Sequence, residues 1–247
     1  MKLAGKNAVI TGATGGIGRA IATKLIGKGV NVCLLSRHDV DVRGYFETGH
    51  SSAGRVFTYT GDLACDTDLA GFCAYIGDHV STVDILVHSA GAYYTGTVAE
   101  TQVEVLDRLY RVNLRAPYLL TQSLLPKLKQ SRGQIVFMNS SAGVKGAEKL
   151  SQYASSKFAL RALADCLRQE VNGDGIRVLS VFPGRTASRM QEEVHLLEQR
   201  TYDPKILIQP GDIADIIVKS LELPVTAEVT DIHVRPFIKA NSESAGH

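Results

Sequence analysis

The residues from Asn7 to Gly18, Asn-Ala-Val-Ile-Thr-Gly-Ala-Thr-Gly-Gly-Ile-Gly, join an apolar run directly to a glycine-rich turn. The apolar run predicts a buried strand, and the periodic apolar residues after Gly18 predict one face of a helix. Glycines at such a junction permit a tight turn, let a pyrophosphate approach the main chain and let the helix pack closely on the sheet. The free N–H groups at the start of the helix favour an anion. The stretch predicts a dinucleotide-binding unit, although a lone glycine-rich turn is often only a turn. The candidate contacts are Gly12, Thr14, Gly15, Gly16, Ile17 and Gly18.

Short β-branched runs alternate with longer helical patterns along the rest of the chain. Strands are predicted at Asn7–Thr11, Asn31–Ser36, Arg55–Thr60, Val83–His88, Gln134–Asn139, Ile176–Phe182 and Val229–Val234. Helices are predicted near 17–28, 66–79, 101–130, 152–172 and 212–222. This alternation predicts one α/β domain over residues 1–238, with a mostly parallel, doubly wound, seven-stranded sheet and helices on both faces. Residues 239–247 are predicted to form a flexible tail.

The composition is that of an ordinary globular protein. The 247 residues are 45% hydrophobic, and the formal charge of +2 is not gathered into a basic run, so nucleic acid and anionic membrane surfaces are not expected partners. The four cysteines are spread out, which is typical of core residues in a reducing compartment, and no metal-ligand spacing is present. No window approaches the roughly 18 apolar residues of a membrane span. A cytoplasmic protein without a metal site is expected.

The end of the second predicted strand bears on the choice of cofactor. An NAD enzyme usually places an acidic side chain about 20 residues beyond the glycines, where it holds the ribose 2′-hydroxyl. Here Ser36 occupies that place and Arg37 follows it. A guanidinium grips a 2′-phosphate with paired donors, which favours NADP(H) over NAD(H). The alternative is that Arg37 is solvated and that Asp39 or Asp41 reaches the ribose.

A serine and a tyrosine–lysine pair form a candidate catalytic group. Ser140 follows the fifth predicted strand, and Tyr153 and Lys157 are four residues apart, on one face of the helix 152–172. An ammonium beside a phenol lowers the pKa of the phenol from its ordinary value near 10, and a serine hydroxyl can bond the oxygen of a carbonyl or alcohol. The alternative is a half-buried tyrosine covered by a lysine stem.

Taken together, these motifs resemble those of the short-chain dehydrogenase/reductase family, whose members have a Rossmann-type fold and transfer a hydride between a nicotinamide cofactor and a carbonyl or alcohol. The resemblance extends to about Phe237. It implies that Ser140 positions the substrate oxygen, that Tyr153 is the acid/base, and that Lys157 lowers the pKa of Tyr153 and binds the nicotinamide ribose. Asn113 matches the asparagine that supports a water-linked proton path to the lysine. The matching segments are Thr11-Gly12-x-x-x-Gly16-Ile17-Gly18, Asp62-Leu63, Ser89-Ala90-Gly91, Asn113, Ser140, Tyr153-x-x-x-Lys157 and Pro183-Gly184.

The same resemblance assigns further cofactor contacts. It implies that Asp62 meets the adenine amino group, that Leu63 flanks the adenine ring, and that the segment after the sixth strand holds the nicotinamide carboxamide. The resemblance makes Thr186 and Ser188 the contacts to the carboxamide, although hydroxyls in a loop are more often simple turn formers. The remaining candidates are Ser89, Ala90, Gly91, Pro183 and Gly184.

One position departs from the family pattern. His88 stands where the family usually has asparagine. It is expected to be a structural hydrogen-bond donor, with titration near neutral pH as the alternative.

The substrate is not predicted beyond a small carbonyl or alcohol. The segment between Pro183 and Pro210 is expected to form a small lid that excludes water. The family uses the helices 101–130 and 152–172 for subunit contacts, so the resemblance implies a homodimer or homotetramer. A catalytically silent NADP(H)-binding regulatory protein is the alternative function. The residues that could line a substrate pocket, or could equally be solvated, are Tyr93, Tyr94, Val144, Lys145, Lys149, Leu150, Arg189 and Met190.

Overall fold

Strands and helices alternate throughout the computed structural model, which describes residues 2–39 and 54–237. The strands are β1 (Asn7–Thr11), β2 (Asn31–Ser36), β3 (Val56–Thr60), β4 (Ile85–His88), β5 (Gln134–Met138), β6 (Arg177–Pro183) and β7 (Asp231–Val234). The helices are α1 (Gly16–Gly27), α2 (Asp66–His79), α3 (Val103–Tyr110), α4 (Ala116–Ser131), α5 (Ser151–Val171), α6 (Arg189–Leu197) and α7 (Pro210–Leu221). These bounds closely follow the predicted ones. The predicted tail 239–247 and Asp41 lie outside the described residues.

The described strands form one sheet in the order β3-β2-β1-β4-β5-β6-β7, and every pairing is parallel. From β1 the chain winds outward through β2 and β3, then returns to the centre and winds the other way from β4 to β7. The order therefore reverses between β1 and β4. In open parallel sheets, ligands bind at the carboxyl ends of the strands at such a switch point.

Both faces of the sheet are covered by helices. Alternate residues of a strand point to opposite faces, so Ala8 and Ile10 of β1 pack with α1 and α7, whereas Val9 packs with α2, α4 and α5. Burial on both faces explains why the inner strands β1, β2, β4, β5 and β6 are largely continuous apolar runs, whereas the edge strands β3 and β7 are only partly buried. The predicted doubly wound Rossmann-type architecture is thereby confirmed.

The predicted helix 101–130 is interrupted. A single π-helical turn, Arg111–Arg115, separates α3 from α4, and the N–H of Ala116 donates to the carbonyl of Arg111, five residues back. Pro117 has no N–H with which to bond the carbonyl of Asn113, so the regular helical ladder fails at this point. The interruption places Asn113 on the active-site side.

Within the described ranges, no helix is both long enough and apolar enough to cross a bilayer.

Candidate active site

The glycine-rich turn requires glycine where it meets other main chain. Gly12 has a φ of 71°, and a Cβ there would lie 2.6 Å from the Cα of Ala90. A Cβ on Gly18 would overlap the carbonyl oxygen of Gly12. Gly15, by contrast, has nothing within 4 Å of such an atom. The turn is thus tight against the protein on one side and open on the other, as a turn that receives a phosphate must be.

The segment after β4 lies directly against this turn. The N–H of Ala90 donates to the Thr11 hydroxyl over 3.3 Å, and the Ser89 hydroxyl lies 3.0 Å from the position that a Gly18 Cβ would occupy. A Cβ on Gly91 would lie 3.7 Å from the Lys157 ammonium. The structure therefore brings the glycine turn, the Ser89–Gly91 segment and Lys157 together.

Asn113 joins the loop after β4 to helix α5. Its amide oxygen accepts from the Ala92 N–H at 2.8 Å, and its amide nitrogen donates to the Ala92 carbonyl at 2.9 Å and to the Ser156 hydroxyl at 3.0 Å. The side chain is almost fully buried, with 1% exposed. Asn113 thus holds the π turn, the loop after β4 and helix α5 in fixed relation, which its sequence position alone did not indicate.

Ser140 and Tyr153 lie together at the carboxyl end of the sheet, where the Ser140 hydroxyl acts on the pKa of Tyr153. Ser140 also accepts from the N–H of Ala142 at 3.1 Å, which fixes its hydroxyl at the start of the turn after β5. Burial raises the pKa of the Tyr153 hydroxyl to about 12; nearby Tyr93 raises it further, and the Ser140 hydrogen bond opposes both. Tyr153 therefore carries its proton at neutral pH.

Lys157 is buried beneath the tyrosine ring. Its ammonium donates to the Met138 carbonyl at 2.9 Å and lies 5.9 Å from the Tyr153 ring centroid. Burial lowers the pKa of Lys157 to about 8. In this structure burial dominates the pKa of the phenol, and Lys157 is not among the groups that shift it. The lowering of the Tyr153 pKa by Lys157 stays a prediction.

Comparisons with known proteins match this arrangement. A short chain dehydrogenase family model matches residues 6–199. An uncharacterized oxidoreductase of Staphylococcus epidermidis is 29% identical over 236 residues, covering 95% of this chain and 99% of that protein. The chain belongs to the short-chain dehydrogenase/reductase family. It is an oxidoreductase of that family.

Two solved structures share its fold over nearly the whole chain. An alcohol dehydrogenase of the archaeon Thermococcus sibiricus, complexed with 5-hydroxy-NADP, has a TM-score of 0.84 and 26% identity, covering 96% of this chain and 98% of the other. A metagenomic short-chain oxidoreductase in complex with NADP has a TM-score of 0.81 and 28% identity, covering 96% of this chain and 100% of the other.

In this short-chain dehydrogenase/reductase, Arg37 is exposed at the carboxyl end of β2, and within the described residues its guanidinium has no hydrogen-bond or ion-pair partner. Ser36 is buried and donates to the His38 carbonyl at 2.6 Å. Asp39 accepts from the Thr60 hydroxyl at 2.9 Å. Asp39 is therefore engaged with β3, and Arg37 is free to meet a phosphate.

Asp62 and Leu63, the candidates for contacts with adenine, also make contacts within the protein. One carboxylate oxygen of Asp62 accepts from the Ala64 N–H at 2.9 Å, and Leu63 packs partly buried against the core. The contacts to adenine that the family resemblance implies remain predictions.

The hydroxyls of Thr186 and Ser188 are also engaged locally. Thr186 is buried and donates to the Gly184 carbonyl at 3.1 Å, and Ser188 caps α6 by accepting from the Gln191 N–H at 3.1 Å. Pro183 ends β6, and the Gly184 N–H donates to Val234 at 2.7 Å, which ties the segment to β7. The turn-forming alternative for the two hydroxyls therefore has direct support.

His88 is a buried structural residue. Its Nε2 lies 2.9 Å from the Thr121 hydroxyl, and its ring stacks on Phe137 with the centroids 4.9 Å apart. Burial lowers the pKa of His88 to about 3. The alternative of titration near neutral pH is therefore wrong, because the charged imidazolium would be desolvated.

Of the candidate pocket residues, Tyr93 meets Tyr153, with ring centroids 4.9 Å apart. Lys145, Lys149 and Val144 are exposed on the loop before α5, and Arg189 is 92% exposed and pairs with Glu193. Met190 is exposed in the first turn of α6, and Tyr94 and Leu150 are half-buried in the loops after β4 and before α5.

A charge pair that no sequence pattern indicated lies on the segment around α6. Arg185 donates to Glu198, just past the end of α6, at 2.6 Å. Both act on Tyr93, because Glu198 raises the pKa of that hydroxyl and Arg185 lowers it. Their spacing of 13 residues spans a strand end and a helix, so no periodic pattern could have indicated the pair.

No group of three or more His, Cys, Asp or Glu side chains suited to a metal ion occurs in the part of the chain that the structure describes.

Proposed function

We propose that this protein is an NADP(H)-dependent oxidoreductase that transfers a hydride between the nicotinamide and a carbonyl or secondary alcohol. The observation that carries the proposal is the Tyr153 hydroxyl, which lies beside Ser140 and the buried Lys157, at the same sheet edge as the glycine turn. Acid/base, oxygen-orienting and cofactor-binding groups thus meet in one place.

The residues present suit a dinucleotide. The turn at Gly12 and Gly18 leaves main-chain N–H groups at the start of α1 open to a pyrophosphate. When bound, NADPH would supply the hydride. The exposed guanidinium of Arg37 favours the 2′-phosphate form, and both neighbouring structures contain NADP or a derivative of it.

The side chains divide the remaining chemistry among them. In reduction, Ser140 holds the substrate oxygen while Tyr153, protonated at neutral pH, gives its proton to that oxygen. Lys157, with its pKa near 8, can release and recover a proton close to neutral pH and so resupply the tyrosine. In oxidation the steps reverse, and the phenolate of Tyr153 must form first.

The segment with α6 is proposed to act as the lid. Val194 and His195 are buried, and the Arg185–Glu198 pair anchors the far end of the helix to the end of β6. Closing this segment over Tyr93 would exclude water from the reacting atoms.

The experiment is a titration with NADPH and NADH, followed by NADPH oxidation against ketones, quinones, aldehydes, sugars and 3-oxoacyl thioesters. Turnover of one class is expected, with Tyr153→Phe as the matched variant that keeps NADPH affinity and loses about 10²- to 10⁴-fold in kcat. Unchanged turnover in that variant would contradict the role of Tyr153. Tight NADPH binding without turnover on any class would favour the silent regulatory protein.

A further inference from the structure

Tyr93 and Tyr153 come from different parts of the chain and meet ring to ring. Tyr93 lies in the loop after β4 and Tyr153 in the first turn of α5. Their rings meet edge to face, with centroids 4.9 Å apart and an angle of 62° between the planes. This is a favoured arrangement for aromatic pairs, because the positive edge of one ring faces the negative face of the other.

The two tyrosines are also joined through the protein interior. The Asn113 side chain forms hydrogen bonds with both the N–H and the carbonyl of Ala92, the residue before Tyr93. It also donates to the Ser156 hydroxyl. Ser156 in turn donates to the carbonyl of Tyr153 at 2.7 Å. The ring contact and these hydrogen bonds link Tyr93 to Tyr153 on two sides, so a large shift of Tyr93 would break a buried hydrogen bond.

We propose that Tyr93 is a positioning residue of the active site, whose ring braces the ring of Tyr153 and covers one side of it from water. The inference rests on the proposed function in that it takes Tyr153 as the acid/base. It goes beyond it by assigning a second tyrosine, which does not itself transfer a proton.

The charges around the pair indicate that Tyr93 acts as a ring and not as a charge. Burial and Glu198 raise the pKa of Tyr93, and Arg185 and a Thr95 hydrogen bond only partly oppose them, so the hydroxyl is neutral at working pH. Tyr153 is faced by Ser140 from the end of β5, by Lys157 from its own helix and by Tyr93 from the loop after β4.

The first test needs no substrate. Protein labelled with 3-fluorotyrosine, which titrates at lower pH than tyrosine, is followed by ¹⁹F NMR, and the Tyr153 resonance is assigned with Tyr153→Phe. Tyr93→Leu should lower the apparent pKa at Tyr153 and sharpen its line, because water and ring motion are admitted. Tyr93→Phe should restore the line width and most of the Tyr153 pKa, because it keeps the ring and loses only the effect of the Tyr93 hydroxyl charge. Tyr94→Leu, on the neighbouring residue of the same loop, should change neither.

An unchanged Tyr153 titration and line width in Tyr93→Leu would overturn the proposal. A change of equal size in Tyr94→Leu would also overturn it, because the effect would then belong to the loop as a whole.

The second test uses turnover. Tyr93→Leu should lower kcat by about ten- to a hundredfold with little change in the KM for NADPH, and should move the pH profile of alcohol oxidation to lower pH. Tyr93→Phe should recover most of kcat. A rise in substrate KM alone would make Tyr93 a pocket wall and contradict the bracing role. If no variant or parent turns over any substrate, the proposed function fails, and the NMR result still decides whether Tyr93 braces Tyr153.

Discussion

Burial moves the pKa values of Tyr153 and Lys157 in opposite directions, because it disfavours the charged form of each. Tyr153 thereby keeps its proton at neutral pH, as a proton donor must, and the pKa of Lys157 is brought close to neutral pH. The cost of holding Lys157 charged inside the fold is a stability penalty that function requires.

Replacing Lys157 by methionine should stabilise the protein while abolishing turnover. The pKa of Lys157 falls from 10.5 to about 8, so at pH 7 the folded state carries the full cost of the buried charge, and the unfolded state binds more protons between these two values. After allowing for the lost hydrogen bond to Met138, the variant's free energy of unfolding should exceed that of the parent by about 2 kcal/mol at pH 7. It should shrink as the pH rises from 8 towards 10.5. Denaturant unfolding across this range measures it.

The control for this change is Lys127→Met, which removes a part-exposed ammonium that is also bonded to main-chain carbonyls. It should give no such gain. A pH-independent difference between Lys157→Met and the parent would contradict the buried-charge interpretation.

Replacing Arg37 by aspartate should shift preference from NADPH towards NADH. A carboxylate repels the 2′-phosphate and can bond the free ribose hydroxyl, so the ratio of kcat/KM for the two cofactors should fall by roughly a hundredfold. Arg55→Asp makes the same charge change just before β3, at the amino end of the strands, whereas Arg37 lies at their carboxyl end. It should leave the ratio as it is. An unaltered ratio in Arg37→Asp would remove the phosphate role.

At the scale of elements, the glycine turn and the π turn place residues of the candidate site by main-chain geometry, whereas the proposed lid is held by a side-chain ion pair. The π turn aims Asn113 at Ala92 and Ser156, and the lid is anchored by one half-buried ion pair. These three elements bring segments distant in sequence to one sheet edge.

In the glycine turn, Gly18→Ala should destabilise the fold by about 2 kcal/mol, because the new methyl group overlaps the Gly12 carbonyl and the main chain must shift. Gly15→Ala should keep the unfolding midpoint, since the added carbon meets nothing within 4 Å and Gly15 has an extended φ of −152°. Thermal unfolding compares the two. Equal midpoints would show that the turn can relax.

In the lid, Glu198→Gln should raise the substrate KM by roughly two- to tenfold without changing NADPH affinity, because the Arg185 anchor is weakened. Glu193→Gln is the matched control on the same helix, since its pair with Arg189 is largely exposed. Hydrogen exchange of residues 189–197 should rise only in Glu198→Gln. Identical exchange in the two variants would contradict the anchoring role.

At the scale of the whole molecule, each of the helices α3 to α5 presents large apolar side chains to solvent. The family resemblance implies that a second copy covers these side chains, and we expect a homodimer or homotetramer in gel filtration. Phe158→Glu should shift the protein towards the monomer, whereas Val225→Glu, an equally drastic change at an 82% exposed site in the loop after α7, should not. A monomeric parent protein would remove the expectation. The exposed residues are Val103, Leu106, Tyr110, Tyr118 and Phe158.

Local patterns determined much of this protein. The strand runs, the glycine turn and the four-residue spacing of Tyr153 and Lys157 could be predicted because each depends on periodicity or on a fixed offset along the chain. Pro117, four residues after Asn113, was a further local signal from which the π turn could have been predicted.

What only the tertiary structure decided depends on burial and on partners far apart in sequence. The neutral state of His88, the raised pKa of Tyr153 and the lowered pKa of Lys157 follow from desolvation, which no offset along the chain encodes. The Arg185–Glu198 pair and the ring contact of Tyr93 with Tyr153 likewise arise where separate segments meet. The sequence by itself determined which groups this site contains, and the packing of the sheet and helices decided their charge states and contacts, because both depend on the surroundings that folding creates.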